Sequence, residues 1–297
     1  MIQLFIKKTI LFLVLFALPV LMLEGYMRTP KFDPFGSKHA YLEENKNKCD
    51  VLIIGSSHAW AGLNPEWISP NAINIANAFQ PLFYDYKILE RYISEMDALE
   101  VVILPMSYTT FFNLPSAYHQ DMYAVYWGFP VYGEKKLENY SLVLSLGIKS
   151  LFDRIINQED NYQNKGWKEF TGNLDASPER TAKRVEMMHD VMSMDNWKEN
   201  TSYFENIIRI CRDHKKKVFL FYPPYTIELN QQIGASPYLL KMKSYLSGME
   251  KQNGVVLYDF NDNEQYPDSL FMDADHLNRS GAKKLSDSVR QLISEWP

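Results

Sequence analysis

A surplus of basic charge is missing from this chain. Of its 297 residues, 31 are Lys or Arg and 36 are Asp or Glu, for a net charge of −5. Nucleic-acid binding needs clustered cations against phosphate, so a nucleic-acid partner is not expected. Cysteine is scarce, with only Cys49 and Cys211, which excludes a disulfide-stapled scaffold. The pair could bridge in an oxidising compartment. Cys211, however, shares an apolar helix face with Phe204, Ile207 and Ile208, and two buried free thiols are the expectation. Histidine is limited to six residues. His39, His119, His189 and His214 have no partners at metal-ligand spacing, so neither a metal nor another cofactor is expected. No internal repeat is visible, and a charged fraction of 23% is ordinary for a folded chain.

What is present is enough apolar residue, 46%, for one sizeable core. Its most uniform stretch is N-terminal. Lys7 and Lys8 precede an apolar run from Ile10 to Leu23, which at 1.5 Å per residue spans roughly 20 Å, short of the ~30 Å hydrocarbon core without its flanks. No small-x-small cleavage site follows, which favours an uncleaved anchor over a removed signal peptide. With the lysines cytoplasmic, the rest of the chain would lie outside. Residues 1–28 are thus read as an anchor or signal segment, and 29–48 as a linker, with Pro30, Pro34, Gly36 and a charged cluster at Glu43 to Lys48.

From Val51 onward an α/β rhythm begins. Val51 to Ile54 is a short apolar run stopped by Gly55, the pattern of a fully buried strand. Further strands are predicted at Asn71 to Ala76, Val101 to Met106, Lys217 to Tyr222 and Val255 to Phe260. Helices are predicted at Leu82 to Met96, Ser202 to His214, Pro237 to Gln252 and Ser280 to Glu295. Five strands alternating with helices imply an α/β fold with a parallel sheet in 2-1-3-4-5 order. Residues 107–200 break this rhythm. They are rich in aromatics (among them Tyr108, Phe111, Phe112, Tyr118, Tyr123, Trp127 and Tyr132) and read as a mainly helical insertion. Ser177-Pro178-Glu179 marks a helix start within it.

In a parallel sheet, reactive groups gather beyond the carboxyl ends of the strands, where Ser56 and Ser57 would stand. An alcohol is a poor nucleophile near neutral pH and needs a base, with a third group to orient that base. Asp273 and His276, spaced D-x-x-H ahead of the last helix, supply both. Asp275 is a second candidate acid. His58, directly after Ser57, points elsewhere and reads as structural. Asn278 and Gly281 fit the turn into the last helix.

Gly55-Ser56-Ser57 and Asp273-Ala274-Asp275-His276 together resemble the first and last blocks of the SGNH or GDSL-type hydrolases and acyltransferases. The resemblance covers roughly residues 49 to 110 and 200 to 297 and implies a flavodoxin-like SGNH domain over 49–297. By that match Ser57 is the nucleophile, His276 the base and Asp273 the orienting acid. The segment Gly55 to Ala59 also nearly matches the nucleophile elbow of α/β-hydrolases. There, however, the serine follows a strand deep in the sheet order and the acid and base sit on separate loops. The middle blocks of the SGNH pattern are departed from. Its backbone-donating glycine aligns with Ala76, and its Gly-x-Asn-Asp block with Pro105-Met106-Ser107-Tyr108. The N–H groups of Ser57 and Ala76, with Asn77 or Ser107 standing in for the missing asparagine, are the expected oxyanion donors.

The resemblance implies a serine esterase or O-acyltransferase acting through an acyl-enzyme on acyl esters. A membrane tether with an external domain resembles surface-polysaccharide acyl-modifying members, including the anchored protein that helps transfer D-alanine to teichoic acids. An acylated carbohydrate of the cell envelope is the expected substrate, and a membrane-bound acyl-donor protein an expected partner. The alternative is a non-catalytic envelope assembly or glycan-binding protein that keeps the fold.

Overall fold

The computed structural model describes residues 1–29, 33–114, 119–130, 136–145, 152, 156, 165–171, 176–253 and 255–295. The chain opens with a 26-residue helix, α1 (Ile2–Met27), followed by α2 (Pro34–Asn45). Strand β1 (Val51–Ile53) leads into α3 (Ser57–Gly62), then β2 (Ile73–Asn74), α4 (Leu82–Tyr92) and β3 (Val101–Pro105). Short helices α5 (Gln120–Tyr126) and α6 (Leu142–Ser145) precede α7 (Pro178–Asp190) and α8 (Trp197–Asp213). Strand β4 (Lys217–Tyr222), helices α9 (Ile227–Ile233) and α10 (Pro237–Asn253), strand β5 (Val256–Asp259) and α11 (Arg279–Ser294) complete it.

The five strands form one all-parallel sheet in the order β2-β1-β3-β4-β5, the arrangement read from the βα rhythm. Side chains alternate between its faces, as the two-residue period of a strand requires. Leu52, Val102, Leu104 and Leu220 pack with α4, α8 and α10. Ile53, Ile103, Phe219 and Phe221 face the other way, onto Ala59 of α3 and onto Leu285 and Val289 of α11. Both Leu285 and Val289 are fully buried, each contributing about 1.5–3 kcal/mol of apolar burial. Because β2 and β3 flank β1 on opposite sides, the chain leaves β1 at the point where strand order reverses, which is where a crevice opens in such sheets.

Gly55 makes that exit. Its φ is +103°, and a Cβ there would lie 2.6 Å from Pro105 Cδ, so only glycine turns the chain this sharply against β3.

Three expectations need revision. Residues 29–48 read as an unpacked tether, yet most of the stretch is α2. Asp33 caps it by accepting from the Phe35 N–H at 2.8 Å, Pro34 occupies its first turn, and Phe35, Lys38 and Leu42 are buried. The turn-forming residues that suggest a linker are the cap and first turn of a helix. Second, β2 is two residues long, not six. Asn74 donates its side-chain amide to the carbonyls of Ala59 and Leu63 and accepts from the N–H of Ala76, while backbone bonds to the β1 segment continue past it, from the Ile75 N–H to the Ile53 carbonyl and from the Asn77 N–H to the Gly55 carbonyl. Third, β1 is shorter by one residue than the apolar run.

Within 107–200 the described residues form α5, α6, α7 and turns, with no strand of the sheet. Ser177 caps α7, accepting from the Arg180 N–H. Phe111, Phe112, Tyr123 and Trp127 are buried in the same apolar cluster as Leu52 and Val102 of the sheet, whereas Tyr118 and Tyr132 lie outside the described residues. Cys49 and Cys211 are free and buried. Burial pushes both thiols up, Cys211 to about 12.

Candidate active site

The two ends of the sequence meet at the carboxyl edge of β1. Ser56 holds the N-cap position of α3 and Ser57 is its first residue. The Ser57 hydroxyl lies 2.8 Å from His276 Nε2. His276 Nδ1 lies 2.9 and 3.1 Å from the two oxygens of Asp273. The D-x-x-H segment is a tight turn because Asp273 Oδ1 also accepts the backbone N–H groups of Asp275 and His276, at 3.0 and 2.8 Å. Asn278 caps α11 through the N–H groups of Ser280 and Gly281, and a Cβ on Gly281 would collide with the Leu270 carbonyl. Together these fix the turn against the helix behind it.

A second charged layer lies beneath, built on the other candidate acid, Asp275, with a partner the sequence did not signal. Asp275 is fully buried and accepts two hydrogen bonds from Arg184 of α7, at 2.8 and 2.7 Å. One of its oxygens is 3.4 Å from His276 Nδ1 and the other 3.4 Å from His58 Nε2. The two imidazoles stack with centroids 5.3 Å apart and planes 21° apart, and Ser56 Oγ is 3.3 Å from His58 Nδ1. Phe170 sets its edge against the His276 ring. Arg184 gave no motif signal, since a mid-helix arginine reads as a solvated charge.

The electrostatics follow from this layering. Burial raises Asp275, but His276, His58 and Arg184 outweigh it and hold the carboxyl well below the usual range. Burial disfavours the charged form of His276, yet Asp275 and Asp273 overcome it and raise the imidazole above its ordinary value. Burial lowers His58, only partly offset by Asp275. The two rings therefore differ: one poised to take a proton, the other kept neutral.

Of the expected oxyanion donors, Ser57 keeps its N–H free at the first turn of α3. The Ala76 N–H is engaged by Asn74 Oδ1 at 3.0 Å. Asn77 is spent as well: its N–H goes to the Gly55 carbonyl and its amide to Ile75, Gln80 and Tyr123, while its oxygen accepts from Lys38. Ser107 pairs with Thr110 at 2.9 Å and is buried. In this state each of the three has a local partner, as an interior polar group requires.

Asn113 is an amide near the nucleophile that the sequence did not single out, and its Nδ2 donates to the Thr109 hydroxyl at 3.2 Å. It lines the cavity shared by Ser56, Ser57, Tyr108 and Tyr225, and its Oδ1 has no hydrogen-bond partner. It sits eight residues past the end of β3, beyond the reach of a contiguous pattern.

Behind the nucleophile turn, Asp85 accepts the Gly55 N–H at 2.8 Å and also accepts from Gln80. Burial pushes its carboxyl up to about 7.

Among the described residues, His58, Asp275 and His276 form the one acid and histidine cluster whose ligand atoms lie within 4.8 Å of one another. Its fit to a metal ion is poor, because both Asp275 oxygens already accept from the Arg184 guanidinium.

No family model matches the chain, and no curated protein matches it. Among solved structures it is similar to a Bacteroides fragilis protein provisionally described as an acylhydrolase. The identity is 12% and the TM-score 0.42, over 86% of this chain and 94% of that one. A likeness this loose transfers no function.

Proposed function

We propose that this chain is a serine ester hydrolase or O-acyltransferase of the SGNH type, with Ser57, His276 and Asp273 as nucleophile, base and orienting acid. The observation that carries the reading is the unbroken hydrogen-bonded relay from the Ser57 hydroxyl through His276 to Asp273. His276 Nε2 takes the hydroxyl proton as Ser57 Oγ attacks an ester carbonyl, and the resulting imidazolium is held by Asp273 with Asp275 beneath. The Ser57 N–H stabilises the oxyanion, joined by Asn113 Nδ2 when it exchanges its bond to the Thr109 hydroxyl for one to the oxyanion. As the tetrahedral intermediate collapses, the imidazolium returns its proton to the leaving alcohol. An incoming water or alcohol then gives its proton to His276 while attacking the acyl-enzyme, and as this second intermediate collapses the acyl–Oγ bond breaks and the imidazolium returns the proton to Ser57.

Helix α1 is the membrane anchor in this reading. Its length is about 39 Å at 1.5 Å per residue, enough to cross a ~30 Å core, and the most apolar 18-residue window within it has no buried residue. With Lys7 and Lys8 on the cytoplasmic side the domain lies outside. The SGNH resemblance then favours an acylated envelope polysaccharide as substrate and a membrane-bound donor protein as partner in transfer.

One observation favours a different reading. Ala76 and Asn77 have their donors engaged, as they would in a glycan-binding protein that keeps the fold without the chemistry. Acyl release from, and transfer to, a panel of O-acetylated glycans separates the two. Turnover that vanishes in Ser57→Ala supports the enzyme. Binding without turnover, unchanged by Ser57→Ala, supports the binding protein.

A further inference from the structure

The end of α1 does not swing free of the domain. The Glu24 carboxylate, one residue past the apolar run, accepts from the Ser141 hydroxyl at 2.8 Å and from the Leu142 and Val143 N–H groups at 3.1 and 3.0 Å. It thereby caps α6. Arg28 pairs with Glu24 at 2.7 Å and donates to the Tyr140 carbonyl at 2.7 Å. The Tyr126 hydroxyl donates to the Met27 carbonyl at 2.9 Å, and Met27 is buried. Residues 137–145 are thus fastened at the height where the apolar run of α1 ends.

That same segment turns large apolar side chains outward. Leu137 is 77% exposed and Leu144 is 52% exposed, with Tyr140 between them at 38%. Phe152 and Ile156, a few residues on, are exposed as well. Scattered apolar residues on a surface need no explanation, but a cluster continuous with an apolar helix does. A tyrosine flanked by leucines is the composition of a segment resting at a membrane–water boundary.

We infer that the segment Leu137–Ser145 lies on the bilayer surface, with Leu137 and Leu144 in the headgroup–acyl boundary, so that the domain is held down on the membrane. The inference rests on the reading of α1 as an anchor. Two features agree with it. Helix α2 is packed on the domain through Phe35, Lys38 and Leu42, and hydrogen bonds on both Glu24 and Arg28 fix the direction of α1 against the domain. Chemistry at Ser57 would then take place at a fixed distance from the lipid surface, suited to an acceptor or donor that is itself membrane-bound.

Fluorophore depth measurements on the full chain in phosphatidylcholine–phosphatidylglycerol vesicles test this. Single cysteines replace Phe12, Leu137, Leu144 or Lys283, one at a time, and carry an environment-sensitive label. The native Cys49 and Cys211 are buried, and unlabelled parent protein controls for them. With lipids brominated along the acyl chain, emission should fall by roughly half or more at positions 12, 137 and 144 and stay unchanged at 283, on the opposite helix α11. Quenching at 12 but not at 137 or 144 overturns the inference and leaves the anchor standing. Absence of quenching at 12 removes the anchor and the inference with it. Labels at 137 and 144 that are shielded from both water and lipid, in a particle of twice the mass, would assign the face to a second copy and also overturn it. Labelling at Tyr140→Cys provides an independent position should either leucine variant misfold.

Discussion

Asp273 and Asp275 both lie near His276 Nδ1, and replacing each by asparagine separates their roles. Asp273 faces Nδ1 at 2.9 Å and is 35% exposed at its side chain. In Asp273→Asn the side-chain oxygen can still accept the Asp275 and His276 N–H groups, so the turn survives and stability falls by under ~1 kcal/mol. The new amide, however, would present a donor to Nδ1 and favour the wrong tautomer, costing on the order of 10³–10⁴ in kcat. Asp275 is fully buried and bidentate to Arg184. The substitution Asp275→Asn leaves the guanidinium without a counter-charge, at about 3–5 kcal/mol of stability. It also removes the strongest of the influences that raise His276, so the acid limb of the pH–rate profile should move to lower pH while kcat on the plateau falls far less. Thermal unfolding of both variants, together with pH–rate profiles on an activated ester, makes the comparison. An Asp273→Asn variant with near-parental rate, alongside an Asp275→Asn variant that is stable but inactive, would refute this division and make Asp275 the orienting acid.

Three further outcomes are expected. His276 acts as a base only when neutral, and its environment raises it above the ordinary imidazole value. Acylation by the parent protein should therefore rise with pH through a midpoint above ~6.5; a midpoint below that value contradicts the assigned electrostatics. Asp85 is raised from 3.8 to about 7, so the folded state holds its proton longer than the unfolded state does. Its contribution is greatest below pH ~4 and is lost as pH rises toward 7, by up to about 4 kcal/mol. In Asp85→Asn this decline should flatten, making the variant relatively more stable at pH 8 than at pH 5 when compared with the parent by urea unfolding. Finally, Asn113→Ala should lower kcat by on the order of 10²-fold with KM little changed, and an unaltered kcat would remove Asn113 from the oxyanion site.

Much of the fold was legible because its signals are local. Apolar runs ending in Gly55, Ser107 and Pro223 mark buried strands, and helical spacing of Phe204, Ile207, Ile208 and Cys211 marks α8, whose inward face those residues are. The three residues of the relay were legible for a similar reason, since Gly55-Ser56-Ser57 and Asp273 to His276 are compact segments whose neighbours enforce their shape. What stayed hidden depends on contacts between distant segments. Arg184 reaches Asp275 across 91 positions of sequence. Asn113 enters the cavity from a loop whose path no short pattern encodes. The partners of Ala76 and Asn77 stayed hidden as well: Asn74 accepts from the Ala76 N–H, and Lys38 of α2, a helix the sequence disguised as a linker, donates to the Asn77 side-chain oxygen.

The most direct measurement is reaction of the full chain with a fluorophosphonate, followed by mass mapping of the adduct. A single adduct on Ser57, absent in Ser57→Ala and slowed by orders of magnitude in His276→Ala, is the predicted result. Folded protein that takes no label, or takes it on another residue, would contradict the claim that Ser57 and His276 form a working nucleophile and base.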